Sequence, residues 1–360
     1  MKIKRLWFIA AILLITAALI RIFSSDHIWV EKYYSNGIYP YISAFLKFIT
    51  GLFPFSIGDV LYGVLFVWLV WHFIKLAKAL FNKKIASTDV NRGLAKCSIY
   101  LITIYIIFNL FWGINYNRKG IAFQLGLTRQ TYSQQELKTI NILLLQKVNE
   151  SKAAISHTKQ QDSSDHEKIF IQSENAYTEA AKNYAVLDHS SIIVKSSLYG
   201  WLGNYLDFSG YYNPFTGEAQ VNTTVPYFLQ PYTTCHEIAH QLGYAKENEA
   251  NFVGYLAAAA SKDSLFHYSV YLELFIYANQ NLYQLDSTTA RSFAKQLSPE
   301  VKADIKQWRA FNISHRNPVE PIISWLYGKY LESNQQPSGV LSYDEVTGFL
   351  IAYHKKYGKI

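Results

Sequence analysis

The residues predict a mainly α chain in two parts: three membrane-spanning helices within residues 1–117, then a mostly helical α+β domain over 118–360. Three observations carry this reading. Three long stretches without Asp, Glu, Lys or Arg fall in the first third of the chain. Apolar residues then recur at helical spacing through most of the remainder. One glycine- and aromatic-rich segment, Gly200 to Pro226, has β-prone character instead.

The uncharged stretches are Leu6 to Ile20, Val60 to Ile74 and Cys97 to Asn115, each of spanning length once its flanks are included. The first follows Met1-Lys2-Ile3-Lys4-Arg5 and is followed at once by Arg21 with no small-residue cleavage site, which describes an uncleaved signal anchor. Lys2, Lys4 and Arg5 precede the first span, while Lys75, Lys78, Lys83, Lys84, Arg92 and Lys96 lie between the second and third. Basic residues mark the cytoplasmic side, so three spans leave everything after about Asn117 outside the cytoplasm of a multi-pass protein. The net charge of +8 reflects this topology and contact with anionic lipid; no clustered basic and aromatic pattern points to nucleic acid. Two cysteines, Cys97 in a span and Cys235 far from it, make no disulfide framework and read as free thiols.

In the outer part, Ser133-Gln134-Gln135-Glu136 has capping-box form and opens a helix through Leu137, Ile140, Leu144 and Val148. Ser156 to Lys168 reads as an exposed polar loop and Glu174 to Ala185 as a second helix. A turn at Asn213 to Gly217 leads into a strand from Glu218 to about Thr224. Helices are predicted over Glu249 to Ala260, Tyr268 to Tyr283, Pro299 to Phe311 and Val319 to Glu332, with a last one beginning near Tyr343.

The chemistry concentrates in Thr234-Cys235-His236-Glu237-Ile238-Ala239-His240-Gln241-Leu242-Gly243. Residues four apart share a helix face, so His236 and His240 can present imidazole nitrogens to one ion. Glu237 stands beside them as a general base for water activated by zinc. Gly243 can take the left-handed conformation that ends the helix and returns the chain, bringing Glu247-Asn248-Glu249-Ala250-Asn251 towards the metal. Glu247 is the preferred third ligand and Glu249 the alternative. The Glu247 to Asn251 spacing resembles the Glu-x-x-x-Asp of gluzincin metallopeptidases, whose acid supports a ligand from behind, with Asn251 as a departure. In zinc peptidases with such a helix a preceding strand commonly forms the cleft wall, which makes Glu218, Ala219, Gln220, Val221 and Asn222 the candidate substrate-binding strand. His315, Arg316, Tyr327 and Tyr343 are candidate oxyanion donors.

The pieces Val30-Glu31-Lys32-Tyr33-Tyr34, Pro54-Phe55-Ser56-Ile57-Gly58, Trp112-Gly113-Ile114-Asn115-Tyr116, Pro214-Phe215-Thr216-Gly217-Glu218-Ala219 and His236 through Phe252 together resemble a bacterial membrane-protein family, domain of unknown function 3810. That resemblance implies three spans and a zincin-type outer domain with a metallopeptidase-like site, and no established substrate. The expected function is a membrane-anchored zinc metallopeptidase with one Zn2+, acting outside the cytoplasm on a polypeptide, with the lipid bilayer as its other partner. The competing reading is a non-catalytic zinc-binding protein of signalling or envelope assembly.

Overall fold

The computed structural model describes residues 3–81, 87–128, 131–157 and 165–360. Lys2, Lys83 and Lys84 of the basic flanks, and residues 158–164 of the predicted polar loop, lie outside these. The chain divides into two compact units: Met1–Arg118 with Asn213–Gly217, and Lys119–Tyr212 with Glu218–Ile360.

The first unit contains α1 (Ile3–Ser24), α2 (His27–Trp29), a π-helical segment (Val30–Ile38), α3 (Tyr39–Thr50), α4 (Ile57–Phe81) and α5 (Ser87–Phe111). Helices α1, α4 and α5 are long and apolar enough to cross a membrane. Along α4 large apolar side chains such as Phe66, Val67 and Phe73 stand exposed, a surface costly in water and favourable in lipid. On α1 and α5, Trp7 Nε1 donates to Asn91 Oδ1 at 2.8 Å. The stretch between the first two spans is structured: Asp26 caps α2 by accepting from the Ile28 and Trp29 N–H groups. Glu31 and Arg118 form a buried ion pair at 3.2 Å.

The second unit runs α6 (Gly120–Gln124), α7 (Gln134–His157), α8 (His166–Ala181), β1 (Val194–Ser196), α9 (Gly200–Leu206), β2 (Gly210–Asn213), β3 (Glu218–Val221), α10 (Gln230–Gln241), α11 (Glu247–Ala260), α12 (Ser264–Leu285), α13 (Ser287–Lys295), α14 (Pro299–His315), α15 (Glu320–Ser333) and α16 (Val346–Tyr357). The capping box forms as its residues require: Ser133 N–H donates to Glu136 Oε2 at 2.7 Å and Glu136 N–H to Ser133 Oγ at 3.2 Å. Leu137, Ile140, Leu144 and Val148 then bury one face of α7, which packs on α12. The second helix begins eight residues before the predicted Glu174, because Asp165 caps it by accepting from Lys168 N–H and so converts the end of the predicted loop into helix.

The sheet has three strands in the order β1-β3-β2, with β1 and β3 parallel and Val194 opposite Ala219. It ends at Val221, earlier than predicted, because the Asn222 side chain turns the chain: its Oδ1 accepts from Thr224 N–H at 3.0 Å and from the Thr224 hydroxyl.

Candidate metal centre

Helix α10 is buried at all twelve positions, which explains its mixed composition. Neighbouring helices supply partners to its backbone: Tyr232 N–H donates to Ser269 Oγ, and Tyr177 Oη donates to Cys235 O at 2.7 Å. The helix ends where Gly243 takes φ 86°, and the reversed chain closes with Tyr244 N–H on Ala239 O at 3.1 Å. Three residues on, α11 starts and runs back against α10. Their approach depends on Gly254, where a Cβ would lie 3.1 Å from His236 N and 3.2 Å from its Cα.

This packing brings His236, His240 and Glu247 together, with one ligand atom of each within 4.8 Å of the others. His236 Nε2 and His240 Nε2 are 3.0 Å apart, and Glu247 Oε2 lies 3.1 and 3.4 Å from them. The protons on the other ring nitrogens are fixed by their partners. His236 Nδ1 donates to Asn251 Oδ1 at 2.8 Å, and His240 Nδ1 donates to the Tyr244 carbonyl at 2.8 Å. Both neutral imidazoles therefore turn an Nε2 lone pair inwards, towards a carboxylate oxygen that has only lone pairs to offer. Three acceptors converging in a buried place require a proton or a cation between them. Their spacing matches the edges of a tetrahedron with bonds of about 2.1 Å, roughly 3.4 Å, so the set can hold a divalent ion. Without one, a proton serves: burial opposes the charge on His240, but Glu247 beside it raises the imidazole above its ordinary range. Burial likewise opposes charge on Glu247, and the two histidines overcome it and hold its carboxyl well below the usual range.

Glu249 goes elsewhere. Its carboxylate packs where a Cβ of Gly120 would be, under a turn that Gly120 makes with φ 76°. Two residues of helical phase separate the two acids: Glu247 faces α10 and Glu249 faces the α6 turn.

Glu237 is 4 % exposed and its Oε2 has no hydrogen-bond partner. Burial pushes its carboxyl up to about 7, with the histidines pulling the other way. It lines a cavity of about 410 Å³ together with His236, Asn251, Tyr327 and Tyr343. Tyr327 Oη donates to Glu247 Oε1 at 2.9 Å, and Tyr343 stacks on His236 with ring centroids 6.0 Å apart. A family described as a protein of unknown function, DUF3810, matches residues 34–351. The chain belongs to that family. The match covers α10, α11 and both tyrosines, so the whole constellation lies within the family's shared region. No curated protein and no solved structure matches the chain at a significant level.

Two sequence expectations need correction. Glu218, Ala219, Gln220, Val221 and Asn222 do not offer an edge to an incoming strand, because β3 lies between β1 and β2 and its four residues are buried. The edge beside the cavity is β2, whose Gly210 lines it with Ser209. Of the four oxyanion candidates, Tyr327 and Tyr343 line the cavity, whereas His315 and Arg316 do not. His315 Nδ1 instead donates to Phe311 O at 2.8 Å, and Arg316 caps the end of α14. Asp207, Glu273, Tyr277 and Asp344 also line the cavity and were missed. The signal for Glu273 and Tyr277 was their four-residue spacing on one face of a predicted helix.

Proposed function

We propose that the chain is a membrane-anchored, zinc-dependent metallopeptidase, zincin-like in its second unit, that hydrolyses a polypeptide outside the cytoplasm. One observation carries the reading: three lone-pair donors from His236, His240 and Glu247 converge beside the orphaned oxygen of Glu237 at the wall of a cavity. Zinc held there supplies a Lewis acid that lowers the pKa of water to about 7 and polarises a carbonyl. Glu237 receives the water proton on Oε2 and returns it to the leaving amine, the task of a carboxyl poised near neutrality. Asn251 and the Tyr244 carbonyl keep both imidazoles in the metal-binding tautomer. The Tyr343 hydroxyl, at the cavity wall, donates to the oxygen that gains charge. Three apolar helices and the basic residues flanking them, which favour a cytoplasmic N-terminus, support this location.

The deciding experiment compares purified Glu237→Gln and His236→Ala with wild type for metal content and for turnover of a mixed peptide library. Glu237→Gln retains metal and loses turnover by several orders of magnitude, and His236→Ala loses both. Full turnover in Glu237→Gln overturns the peptidase reading and leaves a metal site serving structure or signalling.

A further inference from the structure

The cavity beside the cluster carries four carboxyl groups, those of Asp207, Glu237, Glu273 and Asp344, and among the described residues no lysine or arginine lines it. A second cavity of about 150 Å³ shares Asp207 and Glu273 with the first, again without a lysine or arginine among the described residues, and adds the rings of Trp308 and Phe311. Both carboxyls thus belong to the wall that the chamber at the cluster and the aromatic-walled side chamber have in common, with Phe208, Ser209, Thr233 and Tyr277; that common wall is the neck. Burial raises all three of the acids that stand away from the cluster. Glu273 reaches about 8 against the pull of a Tyr277 hydrogen bond; Asp207 is raised further by Glu320, and Asp344 by burial alone. Carboxyls so placed gain by meeting a positive charge, and aromatic faces beside them favour the same partner. That something polar enters the larger chamber is indicated independently by the partnerless Glu237 Oε2, nine-tenths buried and at its wall.

We propose that the neck formed by Glu273 and Asp207 binds a cationic group of the substrate: the ammonium or guanidinium of a basic residue near the scissile bond, or a free N-terminal amine. The assignment deepens the peptidase reading of the site and rests on it. A lysine or arginine stem reaching from the cluster chamber brings its charge to Asp207 and Glu273, with the rings of Trp308 and Phe311 in the side chamber behind them. A neutral or acidic residue there leaves two desolvated carboxyls facing an apolar or negative group.

The test uses full-length, zinc-loaded chain in detergent carrying Glu237→Gln, so that bound peptide is not cut. Fluorescent peptides identical but for one Lys, Arg, Gln or Glu, each with a free or acetylated N-terminus, are titrated by anisotropy. The expected result is that the Lys and Arg peptides, or all those with a free amine, bind about tenfold or more tighter than their uncharged counterparts. Acetylation tells the two sources apart. Glu273→Gln and Asp207→Asn, tested separately with metal content and melting temperature as folding checks, each reduce that preference. Equal binding of basic, neutral and acidic peptides overturns the proposal, as does no binding at all, or a preference untouched by both variants. Turnover of the same peptides by wild type is scored apart. Peptides that bind by charge but are never cut defeat the peptidase reading alone, and peptides cut without regard to charge defeat the cation site alone.

Discussion

Asn251 shows how much one side chain settles. Its Oδ1 accepts from His236 Nδ1 at 2.8 Å, while its Nδ2 donates to the Tyr343 carbonyl at 3.2 Å. An aspartate would serve the histidine and set its second oxygen against that carbonyl, leaving two acceptors face to face. Asn251→Asp is therefore expected to lower stability by about 1–3 kcal/mol in denaturant titrations, despite restoring the acid of the gluzincin pattern. Asn251→Leu removes the acceptor and should weaken metal binding about 10–100-fold in competition with a chromogenic chelator. For Tyr343→Phe the expectation is a fall in kcat of about 100-fold with KM little changed, measured on any peptide that wild type cuts. That Glu247 joins the two histidines was readable in advance, because Gly243 and the four-residue spacing of Glu247 and Asn251 define a return and a face. The tyrosines could only be offered among many, since 28 are present and only the tertiary fold selects two.

At the scale of elements, two buried helices meet through a glycine. Gly254→Ala would press a methyl against the backbone of Cys235 and His236, contacts of 3.1–3.3 Å that no rotamer change relieves. A loss of about 1–3 kcal/mol in unfolding free energy is expected, with metal affinity falling in parallel as α11 moves off α10. The capping box offers a pH test at a distance from the site. Lys355 at 2.7 Å, then the Ser133 N–H and hydroxyl, lower the Glu136 carboxyl from its ordinary 4.5 to about 2. A lowered carboxyl stabilises the fold above its unfolded pKa and loses that contribution as pH falls through 4.5 towards 2. Stability of Glu136→Gln should accordingly vary less with pH over this window than that of wild type. Helix α7 was legible from this box and its apolar spacing, and α10 from its motif. The start of α8 was not, because a single Asp165 cap outweighed a polar composition that reads as loop.

For the molecule as a whole, the two units make separate demands. Three apolar helices should keep the chain with the membrane through carbonate washing, and an alkaline phosphatase fused after Lys119 should be active if residues 118–360 lie outside. Chelation should lower the melting temperature of the second unit, since a metal at 100 times its Kd adds about 2.7 kcal/mol to stability and α10 and α11 both depend on the cluster. The sheet has a consequence for selectivity. Its outer strands are β1 and β2, of three and four residues, so pairing along either could not exceed roughly 13 Å of backbone. Main-chain pairing of that length recognises any sequence weakly. On the peptidase reading proposed above, selection of substrates would fall to the side-chain chambers, which suits the cutting of a few chosen partners rather than the clearing of unfolded chains at large.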